Sequence, residues 1–179
     1  MSCKTKTMIP EDLHPSEFDI YYKRYIDKLP VDTELIDGFI NGKSIVIHFF
    51  RQIPKEKQLH RYLPEKWSIQ EVLQHLIDTE RIFMYRCFRI ARMDATPLAG
   101  FDQNIYIEPS GADQKTMDQL LHEYEINRNN SISLLSSLSD EHLSFIGNSN
   151  GGNMSARAAA FTIIGHDIWH MEIIKERYL

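Results

Sequence analysis

The segment 165–179, GHDIWHMEIIKERYL, sets His166 and His170 four positions apart. In a helix these two side chains lie within roughly 40° of one another, and the same stripe carries Ala159, Ile163, Ile173 and Ile174. Both imidazoles are therefore expected to face inward. Side chains at this spacing approach closely enough for two ring nitrogens to share one metal ion, each at about 2.0–2.1 Å from it. Two ligands do not make a site, and His75 offers a third, since its neighbours at helical spacing, Val72, Thr79 and Ile82, mark an inward face as well. Three imidazoles from two inward stripes could form a site with an open position, the catalytic rather than the closed structural type. The same pattern also describes hydrogen-bonded histidines packed in a core, and spacing leaves both readings open.

The elements that would position these residues are helices. FDIYYKRYIDKLP reads as a short helical stretch after a polar arm. A first long helix is expected to start at Asp32, an N-cap residue type, and to run to Pro54, with Gly38 and Gly42 weakening it. A second opens at Ser68 with Glu71 three residues on, the spacing of a capping box. Its apolar residues Ile69, Val72, Leu73, Leu76, Ile82 and Phe83 recur at helical intervals. A third opens with the same device at Thr116 and Gln119, and a fourth begins near Ser155 and carries the histidine pair. Four such helices read as an all-α four-helix bundle. The long connection DATPLAGFDQNIYIEPSGADQK, between the second and third, is expected to cross the bundle and cap one end; the connection to the fourth ends in GNSNGGN.

Composition limits the function classes. With 179 residues and 42% hydrophobic content, the chain fits one domain spanning 1–179 better than two, with 1–31 as its N-terminal arm and short helical stretch. Twenty Lys and Arg against 25 Asp and Glu give a net charge of -5, which provides no attraction to nucleic acid or to an anionic membrane. No apolar run reaches the length of a membrane span, and the N-terminus lacks the apolar core of a signal peptide. Two cysteines, Cys3 and Cys87, are too few for a disulfide framework and do not form a metal-binding pair. A cytoplasmic location is the simplest expectation.

KWSIQEVLQHLIDTE on the second helix, followed much later by IIGHDIWHMEIIKE on the last, resembles the DinB-like superfamily, which includes bacterial low-molecular-weight thiol transferases. The shared pattern is a Trp-Ser opening, one helical His and a final His-x-x-x-His, and the likeness runs from the first long helix to the C-terminus. The resemblance implies an up-down-down-up bundle with a long crossover, and a divalent metal, zinc or nickel foremost, held by His75, His166 and His170. It also implies an enzyme acting on a small molecule, most simply by transferring a thiol such as bacillithiol or mycothiol to an electrophile. A metal-dependent hydrolase of amides or esters, and a non-catalytic metal-binding bundle, are the alternatives. A homodimer is plausible for a bundle of this kind.

Around the three histidines the sequence offers alternatives rather than assignments. Asp78 could accept the second N–H of His75 or simply pair with Arg81. Asp102 could orient water at the site or serve as a loop cap. Tyr106 and Trp169 could line a pocket or pack. One of Arg81, Arg86, Arg89 and Arg92 could meet a carboxylate, although a solvated face is the plainer reading. Cys87 reads as a small core residue. His14, His48, His60, His122 and His142 are isolated and receive no role.

Overall fold

The computed structural model describes residues 8–179; Cys3 lies outside them. The elements run in the order α1 (Ile20–Ile26), α2 (Leu35–Arg51), α3 (Ile69–Ala91), α4 (Asn104–Ser110), α5 (Met117–Leu135), α6 (Asp140–Ser144), β1 (Ile146–Ser149), β2 (Gly152–Ser155) and α7 (Ala156–Arg177). Both expected capping boxes form. Ser68 accepts from the Glu71 backbone while the Glu71 side chain takes the Ser68 N–H, and Thr116 and Gln119 do the same at the head of α5. Ser155 caps α7 through the Ala158 N–H.

The first long helix starts later than Asp32. Glu34 is its N-cap residue and makes no side-chain capping bond. The backbone explains this: Thr33 N–H closes a turn onto Pro30, and Leu35 N–H donates to the Met8 carbonyl at 2.9 Å, so the N-terminal segment supplies the acceptor that Asp32 was expected to provide. Gly38 is tolerated inside the helix because a Cβ there would meet Ile164 at 2.8 Å and Thr33 at 2.9 Å. Its absence lets α2 approach α7 closely.

The four long helices form the bundle. α3 packs on both α5 and α7, and α2 packs on the same two, which puts the consecutive helices α2 and α3 on one diagonal. Cross-helix bonds give the directions. Gln70, Gln74, Ile77 and Glu80 of α3 meet Lys115, Glu123, Asn127 and Arg128 in rising order, so α3 and α5 run parallel. His75 near the start of α3 meets His166 at the middle of α7, and Tyr178 just past the end of α7 donates to the Trp67 carbonyl just before α3, so those two are antiparallel. The result is the up-down-down-up order. Parallel α3 and α5 require a connection that returns along the bundle, which accounts for the long 92–116 segment and its short helix α4.

Two buried clusters fill the interior. One gathers Phe39, Phe83, Ile90, Leu135, Phe161 and Ala156, Ala159 and Ala160 of α7; the other gathers Val46, Phe50, Leu73, Leu120 and Ile174. The GNSNGGN stretch forms a hairpin that the helical reading missed. Ser149 pairs with Gly152 across a two-residue turn, whose Asn150 and Gly151 have φ of 54° and 79°. An Asn-Gly pair with both φ positive is the turn that matches strand twist, so the signal was present in the sequence.

Candidate metal centre

α3 and α7 bring His75, His166 and His170 together, all buried. His166 Nε2 lies 3.1 Å from His75 Nε2 and 3.0 Å from His170 Nε2. One nitrogen from each ring falls within 4.8 Å of the others, close enough for the three to share one ion. Burial pushes the His75 pKa down to about 4. Burial, reinforced by the neighbouring imidazoles, holds His166 and His170 well below the ordinary histidine value. All three are therefore neutral at physiological pH, the form whose lone pair binds a metal.

Aromatic rings fix these imidazoles. Trp67 lies 4.7 Å from the His75 ring, Tyr25 stands edge-on to His166 at 5.1 Å, and Trp169 edge-on to His170 at 4.7 Å. Thr79 Oγ1, one turn after His75, lies 3.3 Å from its Nδ1. Asp78 does not fill that place; it pairs with Arg81 at 3.0 Å. The centre opens on a cavity of about 500 Å³ whose lining includes Tyr22, Tyr25, Trp67, Phe83, Arg86 and Trp169.

The other candidates separate cleanly. Trp169 lines the cavity, whereas Tyr106 packs on Phe101 and lines a different surface cleft. Asp102 is exposed and accepts the Asn104 N–H as a loop cap, while its neighbours Phe101 and Gln103 reach the cavity. Of the four arginines only Arg86 lines it; Arg81 and Arg89 pair with Asp78 and Asp94, and Arg92 lies over the Phe88 ring. Cys87 is fully buried and its thiol is pushed up to about 12, so it stays protonated. Sequence reasoning missed the contribution of α1, whose Tyr22, Arg24 and Tyr25 form one wall, and of Ser149 and Asn150 in the hairpin.

Next to His166, Asp167 faces a second buried group. Arg128 Nη2 donates to Asp167 at 2.7 Å and to Glu80 at 2.8 Å, Ser131 Oγ donates to Glu80 at 2.6 Å, and Tyr124 donates to Asp167 at 3.0 Å. Burial raises the Asp167 carboxyl to about 6 against the opposing pull of Arg128.

The solved structures similar to this chain share its fold. YfiT from Bacillus subtilis, described as a probable metal-dependent hydrolase with an unusual four-helix bundle topology, matches with a TM-score of 0.71 at 16% identity, over 92% of this chain and 90% of that one. A mycothiol-dependent maleylpyruvate isomerase matches with a TM-score of 0.65 at 14% identity, over 83% of this chain and 61% of that one. No curated protein matches this sequence significantly. The family model of the DinB superfamily matches residues 43–174, which include all three histidines. The chain belongs to the DinB superfamily.

Proposed function

We propose that His75, His166 and His170 hold one divalent ion, zinc or nickel, and that the chain is an enzyme transferring a low-molecular-weight thiol to an electrophilic small molecule. The observation that carries this reading is the set of three buried, neutral imidazoles turned toward one another at the foot of an accessible cavity. The donor set suits a divalent ion: three nitrogen ligands leave a coordination position free, as catalytic sites require. When bound, such an ion lowers the pKa of a thiol and keeps the thiolate available at neutral pH. Thr79 would hold the far nitrogen of His75 and so fix its ring, the role that outer partners of metal-binding histidines serve. Tyr25, Trp67 and Trp169 would exclude water and hold the rings in place.

The name of YfiT favours a second reading, a metal-dependent hydrolase. Hydrolysis calls for a group that takes a proton from water. Among the described residues lining the cavity Asp19 is the one carboxylate, and it caps α1 by accepting the Tyr21 N–H. An ion held by the three histidines would acidify either a bound thiol or a bound water; the thiol, much the more acidic of the two when free, would need less help from a base among the lining residues. A non-catalytic metal-binding bundle would not need a cavity of this size beside the imidazoles.

Elemental analysis of the untagged protein beside His166→Ala tests the ligand set. About one divalent ion per chain is expected in the wild type, with most of it lost from a variant that keeps its helical content. Full occupancy in His166→Ala would overturn the assignment. Loss of a chloroarene electrophile that depends on both thiol and metal would favour transfer over ester or amide hydrolysis.

A further inference from the structure

Arg86 stands apart from the other deeply buried arginine of the protein. Arg128 is neutralised by Glu80 and Asp167. Arg86 is only 2% exposed, yet among the described residues no carboxylate pairs with it. Its Nη2 donates to the Ala99 carbonyl at 3.0 Å, the Tyr22 phenol lies beside it, and its guanidinium sits over the rings of Phe83 and Phe101. These neighbours are neutral, so a cation is held in low dielectric without a counter-charge, an arrangement that is costly unless something else supplies one.

Ser149 makes a second, independent observation. It is 3% exposed, its Oγ has no hydrogen-bond partner, and it lines the same cavity as Arg86. The two residues meet on one piece of chain: Ala99 accepts from Arg86, and Leu98 beside it bridges to Ser149. A planar anion with two oxygens could take the guanidinium and the hydroxyl together.

The position of this wall relative to the imidazoles follows from α3. His75, Thr79, Phe83 and Arg86 all line the cavity, and their spacing places them on one stripe of the helix. Eleven residues at 1.5 Å each put the Cα atoms of His75 and Arg86 about 16 Å apart along the axis.

We propose that Arg86 and Ser149 form an anion subsite, which binds the carboxylate of an elongated ligand whose reacting end lies at the three histidines. The role of the reacting end rests on the metal-centre reading above; the subsite itself does not require the ion. The thiol, whose sulfur would lie at the histidines, is the carrier of that carboxylate.

Calorimetric titration with a homologous series of ω-mercaptoalkanoates, against ω-mercaptoalkanols of equal length, provides the test on zinc-treated protein. At the best-fitting length the carboxylate is expected to bind at least about tenfold more tightly than the alcohol. Arg86→Gln should abolish that preference with zinc content and melting temperature retained, and Ser149→Ala should reduce it. Equal affinity for acid and alcohol in the wild type, or an undiminished preference in Arg86→Gln, would overturn the subsite. Should Arg86→Gln fail to fold, an unchanged preference in Ser149→Ala would overturn the paired arrangement. Plain alkanoates against alkanols on metal-free protein give the same comparison without the ion. A preference that persists there supports the subsite even if no metal centre exists; one that appears only with zinc and survives Arg86→Gln assigns the carboxylate to the ion and overturns it. Displacement of a mercaptoalkanoate by the plain alkanoate is expected, since both carboxylates would take the same subsite; an alkanoate that binds alongside it would overturn that placement.

Discussion

Arg128 is the largest fully buried side chain among the described residues. Its charge is offset by Glu80 and Asp167, so removing it leaves two carboxylates without a cation. Arg128→Met is expected to cost about 3–5 kcal/mol, measured by urea unfolding; a cost below about 1 kcal/mol would mean that the carboxylates are neutral or reach water. Glu17 gives a pH-dependent counterpart. Burial raises its carboxyl, but hydrogen bonds from Arg157, the His14 N–H and Ser155 outweigh this and hold it below the usual range. The unfolded chain therefore takes up this proton first as pH falls. Stability from the pair is full above about pH 4.3 and is lost as pH drops through the folded value. Glu17→Gln should cost about 2 kcal/mol at neutral pH, and the gap to wild type should narrow at about pH 3.5. A gap that does not change with pH would rule out the pair as its source. At this scale the convergence of His75, His166 and His170 was the legible part, because i, i+4 spacing and a second inward stripe are local patterns. Arg128 and Glu80 were not, since a charged residue in a helix looks the same in sequence whether it meets water or another charge.

Helices α1 and α7 meet at a point where no side chain fits. A Cβ on Gly165 would fall 2.0 Å from the Tyr25 carbonyl oxygen, a backbone atom that cannot swing away. Gly165→Ala is expected to push α1 outward, costing about 1–3 kcal/mol in denaturant unfolding. Because Tyr25 stands against His166, the same variant should bind metal more weakly; an unchanged affinity would show that α1 does not brace the imidazoles. The contribution of α1 could not be read from sequence, because its packing depends on an absent side chain more than a hundred residues away. The long helices were legible through their caps, and both capping boxes formed where the spacing indicated. The start of α2 was not, since its first N–H is satisfied by Met8, a distant backbone group. The Asn150-Gly151 turn is encoded locally, by a pair that accepts two positive φ values.

At the scale of the whole molecule, the proposed ligands come from α3 and α7, so an ion held by them would tie two antiparallel helices together. Zinc at about a thousand times its dissociation constant should stabilise the fold by about 4 kcal/mol, read as a rise in melting temperature. The rise should vanish in His170→Ala, and its persistence there would place the ion elsewhere. The four-helix count and the crossover were legible from helix lengths and from one long connection. The diagonal placement of α2 and α3 follows from which faces pack, which periodicity within single helices does not encode. The pairing of Asp167 with Arg128 bears on the metal as well. Consecutive residues of a helix point about 100° apart, so the partner that grips Asp167 also sets the azimuth of α7, and with it the direction of His166. The ion network works as a key in a shaft: apolar packing allows a helix to turn by small angles, whereas Asp167 is held on one oxygen by both Arg128 and Tyr124. Replacing Arg128, Glu80 and Asp167 together by apolar residues of similar volume should recover most of the stability lost in Arg128→Met. Metal affinity would then fall while the fold persists, separating what holds the bundle together from what aims its histidines.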